Sequence, residues 1–160
     1  AFATPLDTHM KNENRSKRRL SGYLSRMKIS NLKTTIFYYS KPMSHKLCGQ
    51  EIFTQFKKHK SKIDCIICGS EVSGSGLLSE LIGRKVKIPE TVGVAAVGNS
   101  EITSLLHPQL TTIDFKEQEI GILAAHNLIE KIKNTKIKKK IIDVGFELIK
   151  GGSLVLQRNK

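Results

Sequence analysis

Residues 92–97 read VGVAAV, apolar throughout except for Gly93, and Gly98-Asn99-Ser100 follows at once. A run of this length without polar alternation suits a strand covered on both faces, as in the parallel sheet of an α/β fold. It sits within residues 85–114, which read as a loop containing Pro89, this strand, a tight turn, a short polar helix over 100–106, and then His107-Pro108 leading into a second strand. In open α/β sheets ligands bind just beyond the carboxyl ends of the strands. The 98–100 turn is therefore the first place to expect one.

The rest of the chain follows the same alternation. Further strands are expected over 1–4, 34–39, 63–68, 110–113, 141–149 and 153–156. Helices are expected over 12–28, 44–60, 71–83 and 114–133. Leu20, Tyr23, Leu24 and Met27 form the apolar stripe of the first helix, and Leu47, Ile52, Phe53 and Phe56 that of the second, which Ser44 can cap. Leu77, Leu78, Leu81 and Ile82 mark the third, where Gly74 and Gly76 permit close packing or expose backbone. Asp114 with Glu117 three residues on reads as a variant capping box opening the last helix, whose stripe is Ile120, Leu123, Ala124, Leu128 and Ile132. Strands alternating with helices of this length imply βαβ units and a mostly parallel sheet flanked by helices.

With 160 residues, 39% of them hydrophobic, the chain is long enough for one compact domain. No apolar run reaches the roughly 18–20 residues that span a bilayer. Residues 1–4 lack the charged start and long apolar core of a signal peptide. The missing initiator Met and the strand-like start lead us to expect a piece of a longer polypeptide. The net charge of +13 raises nucleic-acid binding. The lysines, however, are scattered, and aromatics make up only 6% of the chain, too few for base-stacking platforms, so solvated helix surfaces are the preferred reading. Basic clusters stand at 15–26 and 131–140.

Cys65 and Cys68 have CxxC spacing, but on a strand positions three apart face opposite ways and cannot share one metal ion. No second pair completes a zinc site, and Cys48 stands apart. Buried free thiols in a cytoplasmic setting are expected. His9, His45, His59, His107 and His126 lack ligand spacing, and no nucleophile–base arrangement or Walker loop is present. Neither an enzyme nor a cofactor or metal site is expected. Ser70-Glu71 and Gly98-Asn99-Ser100-Glu101 each follow a strand at a helix start, where capping and ligand binding are both open. Arg15 and Arg19 are four apart and share a helix face, open to a carboxylate, vicinal hydroxyls or plain solvent.

Several of these segments, in this order and spacing, resemble the lactose-repressor/galactose-repressor (LacI/GalR) family of bacterial transcription regulators. They are Arg19-Leu20-Ser21-Gly22-Tyr23, the turn at Ser70-Glu71, Ile88-Pro89-Glu90-Thr91-Val92, Gly98-Asn99-Ser100-Glu101, Pro108-Gln109-Leu110-Thr111-Thr112 with Glu119-Ile120-Gly121, and Leu148-Ile149 with Gly152-Ser153. The Gly98 turn and Val144-Gly145-Phe146-Glu147 are similar to the gluconate-repressor branch.

The resemblance implies a periplasmic-binding-protein-like core of two α/β subdomains, here incomplete. Residues 1–113 and 143–160 would form the C-terminal effector-binding subdomain. Residues 114–142 would be a helix and hinge belonging to the N-terminal subdomain, with Asp114 and Phe115 at the hinge. Arg19 matches the family's effector-contacting arginine. Ser70 and Glu71 stand where Asn-Asp is usual, and Gly98 where many members carry a sugar-binding aspartate, with Asn99 beside it. Val97 replaces a usual aromatic and Gly151 a usual arginine. The effector set carried over is Arg15, Arg19, Ser70, Glu71, Gly98 and Asn99, and the loss of the acid at Gly98 while Arg19 is kept favours an acidic effector such as a sugar acid over a neutral sugar. A cytoplasmic homodimer is implied, binding a sugar or sugar acid and reaching operator DNA only through a helix-turn-helix outside this sequence. A solute-binding protein of the same fold and a basic nucleic-acid-binding module are the alternatives.

Overall fold

The computed structural model describes residues 1–6, 14–40, 44–59, 62–133 and 141–155. Its centre is one six-stranded sheet built from β1 (Phe2–Pro5), β2 (Ile36–Tyr39), β3 (Cys65–Cys68), β4 (Gly93–Val97), β5 (Thr111–Asp114) and β6 (Glu147–Ile149). The strand order is β2-β1-β3-β4-β5-β6. The first five strands run parallel, and β6 returns antiparallel to β5. The helices are α1 (Asn14–Ile29), α2 (His45–Lys58), α3 (Glu71–Gly83), α4 (Glu101–Leu105) and α5 (Glu117–Ile132).

Side-chain alternation along the strands separates two faces. Ala3, Phe37, Tyr39, Ile66, Cys68, Val94 and Ala96 point into one core with Cys48, Ile52 and Phe53 of α2 and Leu77, Leu78 and Leu81 of α3. Phe2, one step from Ala3, points the other way and stacks on Tyr23 of α1 with ring centroids 5.2 Å apart. Right-handed crossovers explain the split: β1 to β2 runs one way along the sheet, and β2 to β3, β3 to β4 and β4 to β5 run the other. Each fully buried Leu or Ile contributes about 1.5–3 kcal/mol, so the α2–α3 face carries most of the stability.

α2 and α3 start as the sequence predicts. Ser44 accepts a hydrogen bond from the Leu47 amide, and Ser70 one from the Ser73 amide, each at 3.3 Å. The two helices cross at glycines. A Cβ on Gly49 would meet the Gly76 carbonyl, and one on Gly76 the His45 carbonyl. Gly74 fits against Ala96 of β4. Gly74 and Gly76 of α3 thus serve sheet and helix packing.

The edge strand β2 is closed by a side chain. The Gln55 amide donates to the Tyr38 carbonyl at 2.5 Å and accepts from the Tyr38 amide at 3.0 Å, as a neighbouring strand would. Glu51 accepts from the Ser40 amide at 2.8 Å. An open edge is a template for aggregation. Replacing Gln55 with Leu is expected to cost about 1–2 kcal/mol and to raise light scattering in a thermal ramp; a ramp identical to the parent would show that Gln55 does not guard the edge.

Residues 151–154 wedge between the starts of β4 and β5. The Ser153 hydroxyl donates to the Val94 carbonyl at 2.6 Å and accepts from the Thr111 amide at 2.8 Å, fully buried. Ser153 therefore lies in a turn and not in the strand expected from 153, and Leu156 is outside the described residues. So are His9 and the lysines of 134–140.

Several boundaries differ from those read in the sequence. Only 147–149 of the 141–149 run pairs, because β5 offers a short partner and an Asx turn, with the Gly145 amide on Asp143 Oδ1 at 2.8 Å and Gly145 at φ +69°, breaks the run. Asp114 ends β5 and does not cap α5: its Oδ1 accepts from the Lys116 amide at 2.7 Å, and left-handed Lys116 precedes the first helical residue, Glu117. Leu47 of the expected α2 stripe is 49% exposed, because only the opposite side of that helix meets α3. No residue of α5 is buried: Ile122, Leu128, Ile129 and Ile132 are all more than half exposed.

Candidate functional site

The parallel strands place the turns after β3, β4 and β5 along one edge of the sheet. The chain turns left from β1 to β2 and right from β3 onward, so the strand order reverses between β1 and β3. A crevice opens at such a switch point. Gly69 lies on its floor, with its amide donating to the Ala3 carbonyl at 2.9 Å.

Arg19 reaches into this crevice from α1. Its guanidinium donates to the Gly69 carbonyl at 2.6 Å and lies over the Phe115 ring, 5.5 Å from its centroid. Three elements thus meet at one side chain: α1, the turn after β3, and the segment leaving β5. Burial is the main cause that lowers the Arg19 proton affinity, and the neighbouring Arg15 adds to it. Glu71, Tyr39 and Glu117 oppose both. Arg15, one turn earlier, is exposed at the rim.

Below Arg19 lies a polar group that sequence reasoning missed. Tyr39, buried at the end of β2, faces Ser73 and Ser70 at the start of α3. Burial pushes the phenol upward, and the nearby polar side chains of Ser73 and Ser70 pull it back in part. Ser70 is therefore more than a cap: its hydroxyl also lies 3.0 Å from that of Ser73. Tyr39 reads as an ordinary strand aromatic, so nothing in the sequence signalled this cluster.

Glu71 and Gly98 are brought together by the β3–β4 pairing. Gly98 has φ +104°, and a Cβ there would run into Glu71 Oε2. This corner therefore does hold an acid, delivered from the neighbouring turn. The expectation of an acidic effector rested on a missing acid and a retained arginine; the first no longer holds at this corner, whereas Arg19 is in place.

Asn99 points elsewhere. Its Oδ1 accepts from the Thr103 hydroxyl at 3.0 Å and the Thr112 hydroxyl at 3.2 Å, while its Nδ2 donates to Asp114 Oδ2 at 3.1 Å. The amide ties the turn after β4 to the end of β5. A recess of about 450 Å³ beside it is lined by Asp114, Lys116 and Glu117, under the first turn of α5. Of the expected effector residues, the structure gathers Arg19, Ser70, Glu71 and Gly98, leaves Arg15 at the rim, and turns Asn99 toward Asp114.

The side chains gathered here offer charge and hydrogen-bond donors and acceptors. Cys68 and Cys65 occupy β3, with Cys68 buried and Cys65 half-buried on the opposite face, and both are free. Burial pushes the Cys68 thiol far up and that of Cys48 to about 11. Neither offers a thiolate nucleophile at neutral pH.

A model of the periplasmic-binding-protein-like domain matches residues 1–154. The chain belongs to this periplasmic-binding-protein-like family. It is homologous to helix-turn-helix (HTH) transcriptional regulators of the LacI/GalR type. It is 24% identical to the HTH-type transcriptional regulator IdnR of Escherichia coli K12 over 144 residues, covering 90% of this chain and 43% of that protein. It is 24% identical to the E. coli K12 HTH-type transcriptional regulator GntR over 106 residues, covering 66% and 32%. Among solved structures, the transcription regulator GntR from Chromobacterium violaceum superposes with a TM-score of 0.84 at 19% identity, covering 96% of this chain and 55% of that one. The E. coli transcriptional repressor ascG gives 0.82 at 18%, covering 98% and 55%. These likenesses bear out the fold of this family member, which spans under half the length of the curated relatives it matches. Those relatives are transcription regulators, not enzymes. No described helix is long and apolar enough to cross a membrane.

Proposed function

We propose that this chain is the effector-binding and dimerising part of a LacI-type DNA-binding transcription regulator, and that its effector is a small polyhydroxy molecule, a sugar or a sugar acid of the gluconate kind. The observation that carries the reading is the convergence of Arg19, Ser70 and Glu71 at the switch point of the sheet, with Arg19 lying against Phe115 where the chain leaves β5. A residue that touches both the ligand crevice and the exit of the sheet can couple occupancy to the angle at which the chain continues beyond Phe115.

Residues 1–113 and 143–160 form the ligand-binding subdomain in this reading, and 114–142 pass into a second one, joined at Asp114 and Phe115. The exposure of α5 supports this, since an amphipathic helix with no buried residue lacks its packing partner. Effector bound between two subdomains favours the closed arrangement and shifts the population toward it. In a dimer, closure would respace the DNA-reading heads, and operator and effector affinities would change reciprocally.

The test is binding of a panel of neutral sugars, sugar acids, sugar phosphates and nucleosides, followed by thermal shift. A true effector at saturating excess raises stability by about 2–4 kcal/mol. Replacing Arg19 with Ala removes charge-assisted hydrogen bonds and is expected to weaken that ligand about tenfold to a hundredfold. An effector held equally well without Arg19 would remove the switch-point crevice from the binding site. Silence from the entire panel would count against the effector role itself.

A further inference from the structure

Glu71 and Gly98 share one space. Gly98 leaves β4 at φ +104°, and a side chain built on it would run into Glu71 Oε2, with the Glu71 Cβ itself 3.7 Å from that position. The Glu71 carboxylate has thus crossed from the first turn of α3 to the turn after β4. It is half-buried, and no described residue donates a hydrogen bond to it or pairs with it in a salt bridge. Arg19 stands within electrostatic reach across the crevice, with its NH1 committed to the Gly69 carbonyl.

We infer that Glu71, acting over the bare backbone of Gly98, is the specificity-determining contact of this site, and that it selects a ligand presenting hydroxyl or ammonium donors. This rests on reading the crevice as an effector site. A carboxylate only accepts hydrogen bonds. A hydroxyl can donate to Glu71 and accept from Arg19, and an ammonium group adds charge to the first contact. A ligand carboxylate brought to Gly98 would meet a like charge, which discriminates against it. The ligand class is therefore a neutral or amino sugar in preference to a sugar acid. Glycine at 98 fits the same geometry, since any side chain there would displace the carboxylate.

The experiment is isothermal titration of the complete gene product that carries this chain with three probes of similar carbon skeleton: D-glucosamine, D-glucose and D-gluconate. The unsubstituted protein should bind glucosamine and glucose more tightly than gluconate. Glu71→Gln should weaken glucose about tenfold and glucosamine by more, and leave gluconate unchanged or tighter, as expected for hydrogen bonds to a charged acceptor. Glu71→Asp, which keeps the charge but draws it back, should fall between. The melting temperatures of both unliganded variants should stay within about 2 °C of the parent, which separates recognition from folding. Equal losses for all three probes, no loss for any, or a parent preference for gluconate would overturn the inference and leave the effector site standing. Binding of none of the three would overturn the ligand class. The site itself falls only if the wider panel is silent too.

Discussion

Gly76→Ala is expected to lose at least about 3 kcal/mol of stability, because the added methyl group has no space to enter. Its Cβ would overlap the backbone carbonyl of His45, and Gly49, in turn, presses on the Gly76 carbonyl. The obstacle is backbone on both sides, so no side chain can rotate away. Relief requires α2 and α3 to separate, and that loosens Ile52, Phe53, Leu77 and Leu78 together. The alanine gains about 1 kcal/mol of helix propensity over glycine, too little to offset this. For a chain of this size the loss corresponds to a fall in melting temperature of roughly 6–12 °C. Gly22→Ala is the control: nothing lies within 4 Å of a Cβ in that helix, so stability should hold or rise. If Gly76→Ala and Gly22→Ala melt alike, the close crossing of α2 and α3 is wrong.

The second large effect is expected at Asn99. Asn99→Ala removes an acceptor shared by the hydroxyls of Thr103 and Thr112, both 1% exposed, and the donor to Asp114. Thr103 keeps its bond to the Ser100 carbonyl at 2.7 Å, but Thr112 loses the only partner found for its hydroxyl among the described residues. Leaving buried polar groups unpaired costs about 1–3 kcal/mol each, so a total of about 2–4 kcal/mol is expected. A residue that only touches ligand would lower affinity and leave the unliganded melting curve in place. A tie between the turn after β4 and the end of β5 lowers the melting curve even without ligand. Comparing both curves for Asn99→Ala decides between the two roles.

Local signals in this chain were read correctly where the structure itself is local. Ser44 and Ser70 cap α2 and α3 because a serine hydroxyl needs only an amide three residues ahead. The apolar run of β4 announced a strand buried on both faces, and the alternation of strands and helices announced a parallel sheet. Local patterns failed where a distant partner claimed the same atoms. Asp114 has the spacing of a helix cap, but β6 and Asn99 hold it in the sheet, and the Lys116 amide takes its other oxygen. The run over 141–149 has strand composition along most of its length, but it can pair only where β5 extends.

By itself, the sequence determined the kind and order of the elements as far as β6, the two helix caps and the family pattern, because each is set by periodicity and by contacts a few residues apart. Only the tertiary structure decided how the crevice is furnished. Arg19 meets the Gly69 carbonyl across 50 residues and Asn99 meets Asp114 across 15. Ser70 meets Ser73 beneath Tyr39, and Glu71 fills the space over Gly98. These pairings depend on which strands lie side by side and on how far each turn projects past the sheet. That is a property of the strand order and register, which no short stretch of the chain carries.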